Sequence, residues 1–430
     1  MRVLVIGGGG FIGSVVVAAL AGAGHQVVRA TRRPTAMAAT PGVRDIGCDL
    51  ARDLAAETWL PRLAGIDAVV NCAGILRERG ESTFERVHVE APRALFAACA
   101  RAGVRRVVQI SAIGDARDGP FVATKHRGDE ALRGHDLDWV VLRPSLVWTP
   151  RGSYGGTSLL RAMAALPWVI PVPGDGGQPV APVTAEDVAA VVLACVADTG
   201  PRRATLDVVG PRAMGIRDFL LAVRGWLRTG PARVVPVPRA LVAVGCQLGE
   251  VLGTGPLGNT MRRMLERGNV GEPGAHARLI AQTGVRTRDV DDVLAAAPSF
   301  VQDRWHARLY LVAPLLRLSL AALWLLSGVV GLVHPIDDSA RLLAPAGVSG
   351  VAVPVLVWGA SALDLVLGVA LVAGRAVPAV GMLMLASVLA YTAFIGIALP
   401  SSWLEPFGGL AKNLVLAPAI LAMLATHDRR

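Results

Sequence analysis

The stretch that decides the fold is Val3-Leu4-Val5-Ile6-Gly7-Gly8-Gly9-Gly10-Phe11-Ile12-Gly13. Its apolar, β-branched start predicts a strand, its four glycines predict a tight turn, and the run from Ser14 to Ala23 predicts a helix. The glycines at 7, 10 and 13 have the spacing Gly-x-x-Gly-x-x-Gly. A residue without a Cβ lets the backbone turn sharply and lets the helix pack closely on the strand.

This strand, turn and helix together predict a site for the pyrophosphate of a dinucleotide. The first turn of a helix presents unpaired N–H groups and the positive end of its dipole to an anion. We therefore expect cofactor contacts from Gly7, Gly10, Phe11, Ile12 and Gly13. The alternative interpretation is a glycine-rich turn that binds no ligand.

The end of the next predicted strand, residues 25–31, suggests which dinucleotide is bound. Arg32 and Arg33 follow it. A site selective for NAD usually carries an acidic residue here, whereas an arginine accommodates the 2′-phosphate of NADP. We therefore expect NADP(H), with NAD as the alternative and Arg32 as the first phosphate ligand. A solvated arginine pair remains the other interpretation.

Strand and helix patterns alternate up to about residue 150, which predicts a parallel sheet with helices on both faces. Ligands of such sheets bind beyond the carboxyl ends of the strands. The further cofactor-binding candidates at those ends are Asp49, Leu50, Asn71, Ala73, Gly74, Pro144 and Ser145. We expect an α/β, doubly wound Rossmann domain over residues 1–200 and a small α/β lobe over 201–305. An apolar helix around 239–252 is expected in the core of that lobe, with contact with the membrane as the alternative.

The rest of the chain differs in kind. Four apolar runs occupy residues 309–333, 351–373, 377–399 and 408–425. Each is long enough to cross roughly 30 Å of hydrocarbon at ~1.5 Å per residue. We expect a four-helix transmembrane bundle over residues 306–430, which makes the lipid bilayer a partner of this protein.

The loops between these runs predict the topology. Arg304 and Arg308 precede the first run, Arg375 separates the second from the third, and Arg429 and Arg430 follow the fourth. The positive-inside rule then puts both termini and the nucleotide-binding domain in the cytoplasm of a multi-pass inner-membrane protein.

Three ionisable residues lie within the apolar runs. Because a charge inside a bilayer is costly, such residues need partners. Arg317 and Asp364 fall at similar depths, about 10 Å and about 14 Å at ~1.5 Å per residue, so we expect an ion pair between helices. Lys412 lies near the outer face, where it can extend to water.

Composition narrows the function classes. The net charge is +10, and +9 of it lies in residues 1–309, which suits an anionic cofactor or an anionic bilayer surface. No cluster of basic residues is interleaved with aromatics, so no nucleic-acid site is expected. Five scattered cysteines lack metal-ligand spacing and indicate a reducing compartment without a metal site. The chain has only two lysines, Lys125 and Lys412.

Together these features resemble the atypical and extended short-chain dehydrogenase/reductases over residues 1 to about 300. Within that group the chain resembles most the relatives of the nucleotide-binding accessory subunit of respiratory complex I. The motifs that carry the resemblance are Gly7/Gly10/Gly13, Asp49-Leu50, Asn71-Cys72-Ala73-Gly74, Ser111, Lys125 and Arg143-Pro144-Ser145. The tail, with Glu405-Pro406-Phe407 and Lys412-Asn413, resembles DoxX-like four-helix membrane domains.

The resemblance implies a catalytic Tyr-x-x-x-Lys pair on one helix, supported by a serine after the fifth strand. Lys125 and Ser111 match these positions, but the tyrosine position is Phe121. Because phenylalanine has no titratable proton, acid–base chemistry at a carbonyl is in doubt. Thr124 and His126, like Ser111, are candidates for relaying a proton through water. The nearest tyrosine, Tyr154, follows the sixth strand.

Two functions from different classes fit this sequence. The first is a membrane-anchored NADP(H)-dependent oxidoreductase, or a related dehydratase or epimerase, acting on an apolar membrane-borne substrate such as a quinone or a lipid. The second is a non-catalytic NAD(P)H-binding sensor, or an assembly or stability factor for a membrane protein partner, which Phe121 favours. A transporter regulated by the nucleotide domain is a third interpretation, suggested by the intramembrane charges.

Overall fold

The structure is a computed structural model that describes residues 1–34, 40–251, 258–404 and 409–427. The chain forms two compact units, Met1–Arg304 and Trp305–Arg430. The Glu405-Pro406-Phe407 motif, Arg429 and Arg430 lie outside the described residues.

Within the described ranges, every strand belongs to the first unit. In chain order they are β1 (Arg2–Ile6), β2 (Gln26–Thr31), β3 (Val43–Gly47), β4 (Ala68–Asn71), β5 (Arg106–Ile110), β6 (Asp138–Pro144), β7 (Val147–Trp148), β8 (Val169–Pro173), β9 (Pro179–Val180), β10 (Val183–Thr184), β11 (Ala204–Val208), β12 (Met214–Gly215) and β13 (Arg233–Val237). A sheet of seven strands has the order β11-β6-β5-β4-β1-β2-β3. All of its neighbouring strands are parallel.

Helices cover both faces of this sheet. Those that begin in the first unit are α1 (Phe11–Gly22), α2 (Ala56–Trp59), α3 (Ala91–Ala102), α4 (Pro120–Arg133), α5 (Gly156–Ala164), α6 (Ala185–Val196), α7 (Ile216–Leu227), α8 (Arg239–Val251), α9 (Asn259–Arg267), α10 (Ala275–Thr283), α11 (Val290–Ala296) and α12 (Val301–Val333). A π-helical turn, Arg86–Glu90, precedes α3, and a 3₁₀ turn, Ala116–Asp118, precedes α4.

The core explains why β1 is apolar along its whole length. Val3 and Val5 pack into one buried cluster with α1 and α6, while Leu4 and Ile6 pack into another with α3. Successive side chains of a strand point to opposite faces, so a strand buried on both faces is apolar throughout. The expected α/β doubly wound fold is confirmed. The predicted division at residue 200 stays a prediction, and β11 lies on its far side.

One expectation for the lobe was wrong. Helix α8 was expected in its core, but Leu241 is 61% exposed and Val244 is 54% exposed. Cys246 is buried on the opposite side of the helix. Hydrophobicity alone did not distinguish a buried helix from one with an apolar outer face.

The second unit is a helical bundle. Its remaining helices are α13 (Ile336–Leu343), α14 (Ala352–Val372), α15 (Val377–Ala398) and α16 (Asn413–Ala425). Side chains of α12, α14, α15 and α16 share one buried cluster. Helices α12, α14 and α15 are long and apolar enough to cross a membrane, whereas the fourth apolar segment, Leu410–Ala425, is shorter. Asn413 at its start donates to Thr392 Oγ1 at 2.9 Å.

The predicted ion pair between Arg317 and Asp364 was wrong. Asp364 accepts a hydrogen bond from Ser327 Oγ at 2.7 Å, and Arg317 lies next to Gly374 instead. Ser327 is ten residues beyond Arg317 on α12, about 15 Å along the helix at ~1.5 Å per residue. Similar depth along the helices therefore did not predict the pairing, because the register of α12 on α14 determines which side chains are in contact.

Candidate active site

The glycine turn between β1 and α1 is held by contacts that leave no room for a side chain. Gly7 has φ +70°, and a Cβ there would lie 2.9 Å from backbone atoms of Ala73. A Cβ on Gly13 would lie 2.2 Å from the carbonyl oxygen of Gly7. Among the described residues, no side chain caps α1, whose N-cap residue is Gly10. The turn is thus a bare cradle of backbone N–H groups, and a pyrophosphate fits it.

Lys125 connects the turn after β4, which lies against Gly7, to the end of β5. It is buried on α4, and its Nζ donates to Ala73 O at 2.7 Å and to Ile110 O at 3.0 Å. An ammonium group has three N–H donors, so these two carbonyl groups leave a third for a ligand. Burial lowers the pKa of Lys125 to about 8, with Asp129 acting in the opposite direction.

Ser111 follows Ile110 and is held by a carboxyl group. Its Oγ donates to Asp129 Oδ2 at 2.8 Å, and Arg143 Nη2 donates to the same oxygen at 3.1 Å. Asp129 is 0% exposed. A hydroxyl has a single proton, so Ser111 offers only lone pairs to a ligand while this hydrogen bond is made.

His88 packs against the same helix and is locked in one neutral tautomer. The backbone N–H of Ile75 donates to its Nε2 at 3.0 Å, so Nδ1 carries the proton and faces Thr124 Oγ1 at 2.9 Å. Burial lowers the pKa of His88 to about 2, and the neighbouring Lys125 acts in the same direction. Thr124 Oγ1 accepts from His88 and donates to Pro120 O at 2.7 Å, so Thr124 is part of this scaffold.

Three aromatic rings lie at the position where a catalytic tyrosine was expected. The Phe121 ring meets the His88 ring edge-on at 5.6 Å between centroids, and Phe84 lies 5.5 Å from His88 and 6.4 Å from Phe121. Phe84 and Phe121 are partly exposed. The site therefore offers an apolar wall where a phenol would stand. Tyr154 stacks on Phe11 with centroids 6.2 Å apart, beside the glycine turn.

The candidates expected for the adenosine end follow β2 and β3. Arg32 and Arg33 are exposed just beyond β2. Asp49 accepts from the backbone N–H of Ala51 at 3.1 Å. Leu50 packs against the second core cluster of the sheet.

Other predicted residues are engaged within the protein. Asn71 Nδ2 donates to Gln109 at 2.8 Å, and its Oδ1 accepts from the Ala73 N–H at 3.1 Å. Ser145 Oγ donates to Asn269 O at 2.5 Å. Pro144 ends β6, and Gly74 lies next to Lys125 Nζ. His126 Nε2 lies 3.2 Å from Ala112 O. These side chains shape the backbone around the site.

Sequence reasoning missed two members of the site, His88 and Asp129. Asp129 lies four residues after Lys125, on the same face of α4, and that spacing was available as a signal. A single histidine in a predicted helix carried no comparable signal.

Comparison with known protein families finds two matching regions. Residues 7–199 match a family described as NAD(P)H-binding, and residues 321–421 match a family described as DoxX-like. The chain is 32% identical over 229 residues to the (4-alkanoyl-5-oxo-2,5-dihydrofuran-3-yl)methyl phosphate reductase of Streptomyces griseus, covering 50% of this chain and 70% of that protein. The chain belongs to this NAD(P)H-binding family and carries a DoxX-like tail.

Two other relatives have names that state different functions, one an assembly factor and one a reductase. The photosystem II assembly factor Ycf39 of Synechocystis is 28% identical over 246 residues, covering 56% of this chain and 72% of that protein. The ceramide reductase of Caulobacter vibrioides is 31% identical over 195 residues, covering 45% of this chain and 60% of that protein.

Proposed function

We propose that this protein is a membrane-anchored, NADP(H)-dependent oxidoreductase that acts on an apolar, membrane-associated carbonyl substrate of the lipid or quinone class. The observation that carries the proposal is the placement of Lys125. Its buried ammonium bridges the turn after β4 and the end of β5, with one N–H left for a ligand. This is the position from which a lysine holds the nicotinamide ribose in the related enzymes.

The cofactor contacts are proposed along the carboxyl edge of the sheet. The turn formed by Gly7, Gly10, Phe11, Ile12 and Gly13 holds the pyrophosphate through backbone N–H groups. The remaining contacts come from Arg32 and Arg33 to the 2′-phosphate, Asp49 and Leu50 to the adenine, Lys125 to the nicotinamide ribose, and Asn71, Ala73, Gly74, Pro144 and Ser145 to the nicotinamide end. When bound, the cofactor supplies a hydride.

An apolar substrate is favoured by three observations. The partly exposed rings of Phe84 and Phe121 form a wall next to Lys125. The tail contains three helices long and apolar enough to cross a membrane. One relative is named for the reduction of ceramide, a lipid. A soluble, polar substrate would account for none of these features.

The membrane arrangement is part of the proposal. Arg304 and Arg308 lie near the start of α12, and Arg375 lies between α14 and α15. From these arginines we infer a multi-pass inner-membrane protein whose nucleotide-binding unit is in the cytoplasm. The catalytic unit then works at the surface of the bilayer that carries its substrate.

The test is oxidation of NADPH by the full chain in liposomes that contain either a long-chain 3-oxo lipid or a menaquinone. We expect turnover by the wild type and by Lys412→Ala, which removes the other lysine of the chain, and no turnover by Lys125→Ala. Absence of oxidation with every lipid tested, despite NADPH binding, would refute the proposed function.

The cofactor preference has its own test. Arg32→Ala should weaken NADPH binding by roughly tenfold or more, because a charge-assisted contact to phosphate is lost. It should leave the affinity for NADH unchanged, because NADH has no 2′-phosphate. An equal loss for both cofactors would contradict the assignment of NADP(H).

A second candidate is an NAD(P)H-binding sensor or assembly factor for a membrane protein. Phe121 favours it, because the proton donor expected in the enzyme family is replaced by a hydrocarbon ring. The relative named as a photosystem II assembly factor is compatible with it. Tight NADPH binding without oxidation, together with co-purification of a membrane protein, would be the result expected from this function.

A further inference from the structure

The buried carboxyl group of Asp129 is an ionisable part of the site to which the proposed function gives no role. It lies on α4, four residues beyond Lys125, and is 0% exposed. Its Oδ2 accepts from Ser111 and Arg143, while its Oδ1 is buried without a hydrogen-bond partner among the described residues. A buried carboxylate oxygen left without a donor is costly unless that carboxyl group carries a proton.

The surroundings of Asp129 allow it to change protonation state. Burial raises its pKa above the usual aspartate range, while Ser111, Arg143 and His126 oppose the rise. Lys125 and His126 lie on its own helix, and Arg143 approaches from β6. The Arg143 side chain is 23% exposed, and it lines a cavity of about 280 Å³ with Ile113 and Gly114. The carboxyl group of Asp129 is thus one hydrogen bond away from a side chain that borders this cavity.

We propose that Asp129 and Ser111 form a proton relay that replaces the missing phenol at position 121. Ser111 is the member that faces the reacting group, since it directly follows Ile110, whose carbonyl accepts from Lys125. Asp129 acts through Ser111 and stores the proton. This inference rests on the proposed oxidoreductase function.

The chemistry balances in both directions. During reduction, the carbonyl carbon of the substrate receives a hydride from NADPH and its oxygen forms an O–H bond with the proton of Ser111. For this step the Ser111 hydroxyl turns from Asp129 Oδ2 to the carbonyl oxygen of the substrate, and the protonated carboxyl group of Asp129 donates to Ser111 Oγ. The Oγ of Ser111 takes that proton as it gives up its own, and the resulting carboxylate is reprotonated from water. NADPH becomes NADP⁺ and the carbonyl becomes an alcohol. During oxidation of the alcohol, every transfer runs in reverse.

The first experiment needs no substrate. Infrared spectra of the full chain with bound NADPH are recorded as a function of pH for Asp129→Asn and for Glu130→Gln, a matched change at the exposed neighbouring residue. We expect the C=O stretch of a protonated carboxyl, titrating above the usual aspartate range, in the wild type and in Glu130→Gln. Its absence from Asp129→Asn supports the relay. Identical spectra for both variants would overturn it.

The second experiment measures NADPH oxidation with the long-chain 3-oxo lipid in liposomes. Asp129→Asn keeps a group that accepts from Ser111 and Arg143, so the site should fold and bind NADPH as before. We expect turnover to fall by about 10²–10⁴-fold, the usual contribution of general acid–base catalysis. The rate of the wild type should fall as the pH rises above the pKa of Asp129, because the carboxyl group then holds no proton, and Asp129→Asn should lose this pH dependence.

A double variant separates a relay from a structural role. Because both residues act on one proton, Asp129→Asn combined with Ser111→Ala should be no slower than Ser111→Ala alone. Losses that multiply would overturn the relay. If the wild type oxidises no NADPH, the proposed function fails, and the infrared result still decides whether Asp129 holds a proton.

Discussion

Replacing Gly13 with alanine tests the cofactor cradle most directly. The new Cβ would lie 2.2 Å from the carbonyl oxygen of Gly7, whereas ordinary contact begins at 3.4 Å. To reach ordinary contact, α1 must move away from the turn by roughly 1.2 Å. The obstacle is backbone, so no side-chain rotation relieves it.

The size of the effect follows from this displacement. Overpacking a tightly packed site costs about 1–3 kcal/mol. Because the first turn of α1 would leave its position beneath the pyrophosphate, we expect much of that cost in NADPH binding. A loss of about 1–3 kcal/mol corresponds to a dissociation constant raised by a factor of roughly 5–150.

Gly22→Ala provides the matched control at the other end of α1. A Cβ there meets nothing within 4 Å, so the substitution should stabilise the protein by about 0.4–1 kcal/mol and leave NADPH affinity unchanged. The assay is titration of NADPH fluorescence, with thermal unfolding measured in parallel. If Gly13→Ala bound NADPH as tightly as Gly22→Ala, the close approach of α1 to the turn would not be what shapes this site.

Three further predictions concern other parts of the molecule. Burial lowers the pKa of His88 from 6.5 to about 2, so His88 takes up a proton in the unfolded chain first, and the free energy of unfolding falls as the pH drops below about 6.5. His88→Gln should reduce this pH dependence, measured by urea unfolding between pH 7 and pH 5. An unchanged pH dependence would contradict the locked neutral tautomer. Phe121→Tyr restores a phenol four residues before Lys125, so adding it to Asp129→Asn should restore turnover. If the double variant binds NADPH but shows no turnover, the result counts against the relay. Gly328→Ala places a Cβ 2.7 Å from a backbone carbonyl oxygen of α14, so it should lower the melting temperature of the protein in detergent. The control is Gly359→Ala, whose new Cβ meets nothing within 4 Å and should leave the melting temperature unchanged. Equal melting temperatures for the two variants would contradict the close packing of α12 on α14.

The parts of this protein that the sequence predicted are those set by local geometry. The glycine turn was predictable because a positive φ at Gly7 and the close approach at Gly13 each exclude a side chain. The sheet was predictable because strands buried on both faces are apolar along their length. The long apolar helices followed from the thickness of a bilayer, and the missing phenol at Phe121 followed from the spacing to Lys125.

The tertiary structure decided which side chains meet across elements. Arg317 and Asp364 fail to pair because the register of α12 on α14 separates them. Asp129 gained its importance only when packing brought it to Ser111 and Arg143. Helix α8 exposes Leu241 because its rotation on the lobe depends on its neighbours. The period of a sequence determines which residues share a face, but register and rotation arise from packing between faces that are distant along the chain.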